Sequence, residues 1–464
     1  MPVEPEKSSA RQGPSVEWFF LLASLFAGLL LTVVTPPFQV ADEYLHFFRA
    51  YAISEGALVP RVTSAGPADL LPRSIFEVSQ HFDRVRFHPE EMVTIEEIRK
   101  VGQIPLAARN RQLVAFRGAG VYSAVPYFPQ AFGIAIGRLF GSGALGLLYF
   151  GRVANLIVSS IIILLAIRVA PLGRWVFAML ALTPMSNFQR ASVSPDALTI
   201  AVCFFFIAWT LRIALSDEDI TGRSFAVLLT SMMIVLACKP NFLPLLILTI
   251  PVARVGRGRR LFIGSVLVLL VCGLTLLEMS HLARKYFEPA REGTNAALQA
   301  SKIEANPLGF LGVVYEDLCW QGNRYSREFF GTLGWLDAPL SDFVAPLLCA
   351  TIVLLAIFDG PLGLSFRDWQ RLLILAIVIF STVALSMALY ISFTRPASSH
   401  IDGLQGRYWI PFSPLIFLLA RSSRFTLDRM GWRIHALAAS IFLLTLWDSV
   451  WRLLDRYYET MPWS

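Results

Sequence analysis

The sequence predicts an all-α polytopic membrane protein with about eleven transmembrane helices. Three observations predict it. Only 16% of the 464 residues are charged, against about 25% in a soluble globular chain. Mean hydropathy is +0.58. The apolar residues come in blocks, many of them near the roughly 20 residues that a helix needs to cross a bilayer. The formal charge of +7 fits Lys/Arg-rich loops against anionic membrane lipids. No basic, aromatic-interleaved surface suggests nucleic acid. Cys203, Cys238, Cys272, Cys319 and Cys349 are scattered and lack CxxC spacing, so neither a zinc site nor a disulfide framework is indicated.

Taken in order, residues 1–17 read as a polar cytoplasmic tail and 18–34 as an uncleaved first span. Pro36 and Pro37 stop it. A long polar loop, 35–143, follows. Its apolar stretch "YFPQAFGIAIGRLFG" is short for a crossing and is expected to lie along the membrane surface or dip into it. Further spans are expected at 144–170, 175–189, 195–215, 224–238, 241–253, 261–282, 343–358, 372–393, 409–420 and 434–453. Of these, 175–189, 241–253 and 409–420 are short. The chain thus divides into a transmembrane module over 18–282, an outer loop over 283–342 and C-terminal helices over 343–464.

Orientation follows from the excess of Lys and Arg in cytoplasmic loops. With the N-terminus inside, the cytoplasmic connections carry Arg168 and Arg174, Arg212 and Arg223, the run "RVGRGRR", Arg367 and Arg371, then Arg421, Arg424, Arg429 and Arg433. The short connections on the other side carry only Arg190, Lys239, Arg395 and Arg407. The Asp42 loop, 283–342 and "TRPASSHIDGLQGRYW" are therefore expected on the non-cytoplasmic face. Paired, Gly/Pro-broken spans in two matching halves are absent, which counts against a secondary transporter.

Asp42 and Glu43 follow the first span directly, with His46 and Arg49 behind them. Asp42, His46 and Arg49 stand at i, i+4 and i+7 and share one helix face. Two readings are open. Asp42 is an N-cap, with Glu43 in an anion-favouring first turn. Alternatively, a carboxylate at the membrane–water boundary takes a proton from a polar substrate while a second substrate stays in lipid. Arg190, Asp196, Lys239, Arg407 and Tyr408 form a second group on the same face. Each cation alone suits a snorkelling anchor; together they suit a phosphate at headgroup level. The aromatics of "YEDLCWQGNRYSREFFGTLGWLD" suit an interfacial belt or a sugar-binding cleft. His81, Asp83 and His88 lack a closing fourth ligand for a metal.

The segments "PPFQVADEYLHFFRAYAISEG", "YSAVPYFPQAFGIAIGRLFG", "YFGRVAN", "RASVSPDALT", "CKPNFLPLL", "FGTLGWLD" and "GLQGRYWIP" occur in that order. Together they resemble a bacterial family of polytopic membrane proteins known as a domain of unknown function, grouped with the GT-C integral-membrane glycosyltransferases. The GT-C layout has an early acidic motif, a Tyr-x-Pro-Pro-like segment, an arginine within a span and a later lysine. Asp42-Glu43, "YSAVPYFPQ", Arg152 and Lys239 stand in that order, although Ala124-Val125-Pro126 lacks the double proline. The resemblance implies a polyprenyl-phosphate sugar donor and a glycan or lipid acceptor of the cell envelope. It implies Asp42 as general base of an inverting transfer and Glu43 as its partner, with His46, Arg49, Arg190, Asp196, Lys239, Arg407 and Tyr408 binding substrate. Asp42 and Glu43 would suit Mg or Mn if a divalent cation takes part. The alternative class is a non-catalytic glycolipid transporter or assembly partner of polysaccharide biosynthesis.

Overall fold

The computed structural model describes residues 15–64, 66–216, 220–250, 273, 293–396, 398–426 and 432–459. Among these, five helices are long and apolar enough to cross a membrane: α1 (Val16–Val34), α7 (Ala144–Val169), α10 (Asp196–Ala214), α15 (Asp368–Ser392) and α17 (Trp432–Tyr457). Helices α11 (Gly222–Cys238) and α14 (Val344–Phe358), with the 3-10 helix Pro240–Thr249, are apolar but shorter. The expected span 261–282 lies outside the described residues apart from Gly273.

Two other expected spans are broken. The segment 175–189 is split into α8 (Arg174–Ala181) and α9 (Pro184–Arg190). Proline at the start of α9 cannot donate into a continuous ladder, and the Asn187 side chain donates to the Leu182 carbonyl at the break (3.0 Å). The segment 409–420 becomes a 3-10 helix, Gly406–Phe412, followed by α16 (Ser413–Leu418). Both segments are largely buried by neighbouring helices, where irregular backbone at membrane depth is tolerated.

The loop 35–143 folds into a cap that is not purely helical. It contains α2 (Glu43–Ser54), α3 (Arg73–His81), α4 (Ile95–Gly102), the short α5 (Arg117–Gly120) and α6 (Phe128–Leu139). It also holds an antiparallel sheet in the order β1 (Arg61–Thr63), β2 (Gly66–Pro72), β3 (Arg111–Ala115). Thr63 pairs with Gly66 at the hairpin, where Gly66 takes φ +92°, a conformation open to glycine without steric cost. The apolar stretch read as a surface segment is α6, and it packs along α7. A Cβ on Gly133 would meet the Phe150 carbonyl at 2.3 Å, and one on Gly137 would meet Leu147 and Phe150 at 2.8 Å. These glycines let the two helices approach closely, while Phe132 and Leu139 point outward.

The region 283–342 is likewise structured where described. It carries α12 (Ala296–Ala305) and the 25-residue α13 (Pro307–Gly331), then a hairpin of β4 (Thr332–Leu333) and β5 (Ala338–Pro339). The end of α17 clamps this hairpin to the cap. Arg456 Nε donates to Asp337 (2.8 Å) and its Nη2 to the Val85 carbonyl (3.0 Å). Tyr457 Oη donates to Asp337 (3.0 Å), and the Val93 amide to the Tyr457 carbonyl (2.8 Å). At the other end of the bundle, the Gly173 amide donates to the Asp359 carbonyl (2.9 Å), and Arg371 to the Leu419 and Arg421 carbonyls (2.5 and 2.7 Å). The connections that carry Arg168 and Arg174, Arg367 and Arg371, and Arg421 therefore meet one another.

Candidate functional site

After α1 the chain turns through Thr35–Val40 and enters α2. Here the two neighbouring acids part. Glu43 is fully buried, and its carboxylate takes Arg152 of α7: Nε to Oε1 at 2.9 Å and Nη2 to Oε2 at 2.6 Å. The Phe38 and Val193 amides also donate to it (3.1 and 3.3 Å). Arg152 spends its remaining N–H groups on the Thr32, Thr35 and Pro36 carbonyls (3.0, 2.9 and 3.1 Å). All five guanidinium donors are thus used. This pair fastens the end of α1 and the start of α2 to α7.

Asp42 has the opposite environment. It occupies the N-cap position of α2, yet its side chain makes no capping hydrogen bond. Its backbone takes φ +62°, a left-handed conformation that Asp and Asn tolerate better than other side chains. It is half-buried, and no ion pair within 4 Å reaches it among the described residues. Its charge acts on His46, Tyr122, Tyr127 and Arg407. The capping reading of Asp42 therefore lacks its hydrogen bond, while the other reading gains a set of polar neighbours.

Those neighbours come from five segments. His46 lies one turn along α2, and its Nδ1 is 2.8 Å from the Tyr127 hydroxyl. Burial pulls the His46 pKa down to about 4, outweighing the opposing pull of Asp42 and Asp196, so the imidazole is neutral at pH 7. Burial also raises the Tyr127 phenol well above its ordinary range. Asp196 begins α10, with its amide held by Ser194 Oγ (3.2 Å). Lys239, capping α11, places Nζ 2.5 Å from Asp196 Oδ1, and Arg407 Nε stands 3.9 Å from Oδ2. Lys239 also lies over the Tyr122 and Tyr408 rings, 5.6 and 5.1 Å from their centroids, and Arg407 lies 5.4 Å from that of Tyr408. Two cations thus flank one carboxylate, Lys239 in hydrogen-bond contact and Arg407 at ion-pair distance. The buried Arg407 Nε has no hydrogen-bond partner.

Gly406 shows why Arg407 is placed so firmly. Its amide donates to Glu328 of α13 (2.8 Å), and a Cβ there would sit 1.9 Å from the Tyr325 carbonyl. The close approach permitted by this glycine is to a helix, and it fixes the start of the 3-10 turn that carries Arg407.

Three candidates stand elsewhere. Arg49 donates to the Ala57 and Leu58 carbonyls (3.0 and 2.6 Å) and holds the loop after α2. Arg190 is fully enclosed by Ser24 (2.5 Å), Ser160 (3.0 Å), the Ala181 carbonyl (2.7 Å) and Asn187, with no carboxylate partner among the described residues. Glu43 belongs to Arg152. A divalent ion on Asp42 and Glu43 together does not fit this arrangement, because both Glu43 oxygens are engaged. Among the described residues no group of three or more His, Cys, Asp and Glu side chains could hold a metal. Spacing alone could not single out Tyr122 and Tyr127; their only signal was their place in "YSAVPYFPQ".

The model of a family described as a predicted membrane protein (DUF2142) matches residues 25–416, and the chain belongs to this family. No curated protein and no solved structure matches the chain.

Proposed function

Proceeding from that membership, we propose that this membrane protein is a GT-C-type glycosyltransferase. It transfers a sugar from a polyprenyl-phosphate donor to a cell-envelope glycan or lipid on the outer face of the cytoplasmic membrane. The observation that carries this reading is the cluster beside Asp42: its charge acts on His46, Tyr127 and Arg407, and Lys239 and Arg407 from two further segments pair with Asp196. Asp42 is the general base. It takes the proton of the acceptor hydroxyl as that oxygen attacks the anomeric carbon from the face opposite the phosphate. The bond from the anomeric carbon to the phosphate oxygen breaks, configuration inverts, and the lipid phosphate leaves. Lys239 and Arg407 neutralise it. Asp196 holds both cations in place, and neutral His46 with Tyr127 walls the base. A carboxylate at the end of the first span suits a reaction whose donor is anchored in lipid and whose acceptor is in water. Arg190, an ionisable group set deep in the bundle, is closed in by hydroxyls and carbonyls and not aligned along a passage of the kind a transporter needs.

The test is release of polyprenyl phosphate from synthetic polyprenyl-phosphate sugars by the purified protein in nanodiscs, with Asp42→Asn beside it. Turnover that depends on Asp42 is expected. No turnover on any donor sugar with envelope glycan present, or equal turnover by the variant, would remove the assignment and favour the non-catalytic class.

A further inference from the structure

Arg407 and Tyr408 follow a segment, 398–405, that no helix or strand covers. Its buried backbone groups must therefore find partners elsewhere. Helix α13 supplies them in order. Asp317 Oδ1 accepts the Ile401 amide (3.0 Å), Arg324 Nη2 donates to the Leu404 carbonyl (3.4 Å), and Glu328 Oε2 accepts the Gly406 amide (2.8 Å). Asp317, Arg324 and Glu328 stand at i, i+7 and i+11 and share one face of the helix. The Tyr325 hydroxyl donates to the second Asp317 oxygen (2.5 Å), and its ring packs on Trp409 with centroids 5.3 Å apart.

Two features set this contact apart from ordinary loop packing. The first is the pair of acids. Asp317 is 2% and Glu328 4% exposed, and a buried carboxylate is strongly unfavourable unless its bonds are made. Helix α13 commits both to backbone amides of the one segment that leads to Arg407. Burial raises the Glu328 carboxyl above its ordinary range, against the opposing pull of the Gly406 amide, Arg324 and Arg407, so Glu328 and Arg407 feel one another. The second feature is where the segment sits. Ile401 and Leu404 pack with Phe310 and Tyr325 of α13 and with Leu385 and Tyr390 of α15, in a small cluster of their own. Ile410 and Phe412 belong to the main core. Arg407 stands at the seam between the two. Its side chain is 3.9 Å from Asp196, an ion-pair distance rather than a hydrogen bond, so that pair alone locates it loosely.

We infer that Asp317 and Glu328 are positioning residues for the donor phosphate. By holding the Ile401 and Gly406 amides, α13 sets the start of the 3-10 turn and, through it, the place of the Arg407 guanidinium beside Asp196 and Lys239. Calling the phosphate the donor's rests on the proposed function. Both carboxylates act through the backbone: Glu328 through the residue next to Arg407, and Asp317 one contact further back, where it fixes the approach of the segment. The region 283–342 is thus a working part of the site rather than a spacer between spans. Its long helix decides where one of the two phosphate cations stands.

The test compares Glu328→Gln, which keeps an oxygen for the Gly406 amide, with Glu328→Leu, which keeps the volume but not the oxygen, in the full chain in nanodiscs. The first readout is equilibrium binding of decaprenyl phosphate, which needs no turnover. Glu328→Leu should weaken it about tenfold, while Glu328→Gln stays within about twofold of wild type. Asp317→Leu, which removes the other amide contact, should weaken it about threefold, and it carries the test if Glu328→Leu does not fold. The second readout is hydrogen exchange over 401–408, which should quicken in Glu328→Leu and stay slow in Glu328→Gln. The third is kinetic: donor KM should rise in Glu328→Leu while acceptor KM holds, a split that general loosening of the fold would not produce. No binding by wild type, unaltered binding in Glu328→Leu, or an equal loss in Glu328→Gln overturns the inference. Binding that depends on Glu328 in a protein without transferase activity would sink the proposed function and leave the positioning role standing. A working transferase in which Glu328→Leu keeps the wild-type donor KM would do the reverse.

Discussion

Asp42 and Glu43 are neighbours in sequence with opposite fates. Glu43 lies in a saturated site where every oxygen and every guanidinium N–H of Arg152 is used. Asp42 lies in an unsaturated one, with no cap bond of its own and near cations that share Asp196. A polar network with all bonds made specifies structure. One with surplus charge and spare donors has capacity for something else. The same chemical group thus reads as architecture or as reactivity according to whether its bonds are already complete.

The comparison breaks first if the saturated site proves dispensable. Glu43→Gln should leave Arg152 buried without a counter-charge and cost about 3–5 kcal/mol, seen as a large drop in unfolding midpoint in detergent. A midpoint near wild type would mean that Glu43 is no more structural than Asp42. Acid should strike the other site. The His46 pKa in the folded protein, about 4, lies below the ordinary 6.5, so the unfolded chain gains the proton first. Stability contributed by neutral His46 is whole above pH 6.5 and is lost as pH falls toward 4, by about 3 kcal/mol in total. His46→Gln should flatten unfolding midpoints across that window, and an unchanged slope would count against it.

Asp42→Asn sharpens the contrast. Asparagine tolerates the left-handed backbone and caps as well as aspartate, so the unfolding midpoint should hold while transfer falls about 100-fold or more. Retained transfer would place Asp42 with Glu43 as architecture. The smallest effect belongs to Arg407→Lys, which keeps charge but loses the planar fork. Donor KM should rise about tenfold with acceptor KM unmoved. Equal donor curves would take Arg407 out of the site.

Much of this was legible in the sequence, for reasons that also explain the rest. The five long helices show because twenty apolar residues have few other uses. Asp42, His46, Asp196, Lys239, Arg407 and Tyr408 could be picked because charge just past an apolar run must face water or a partner. Glu43's commitment was hidden: Arg152 lies 109 residues away, and only packing brings them together. The sheet was missed because β1 has only three residues, β2 lacks clean alternation, and β3 joins it from about forty residues on. Gly133 and Gly137 read as surface-helix residues until α7 supplied the backbone they approach. Arg190 looked like an outer-face cation because Pro184, which breaks its segment, leaves no trace of how deep the next turn lies.

The clamp made by Arg456 and Tyr457 has a consequence for biogenesis. The ribosome delivers α1 and the cap early, but the residues that pin the Trp335 hairpin and the Val85–Val93 stretch come from α17, more than 360 residues later than Val85. Until α17 has been inserted, the cap lacks these bonds at this edge. The chain therefore inserts in one order and locks in another, its first-made cap waiting for the last-made of these helices. A stop codon placed just before Arg456 should yield a protein that enters the membrane at normal levels yet exposes the 82–93 stretch to added protease.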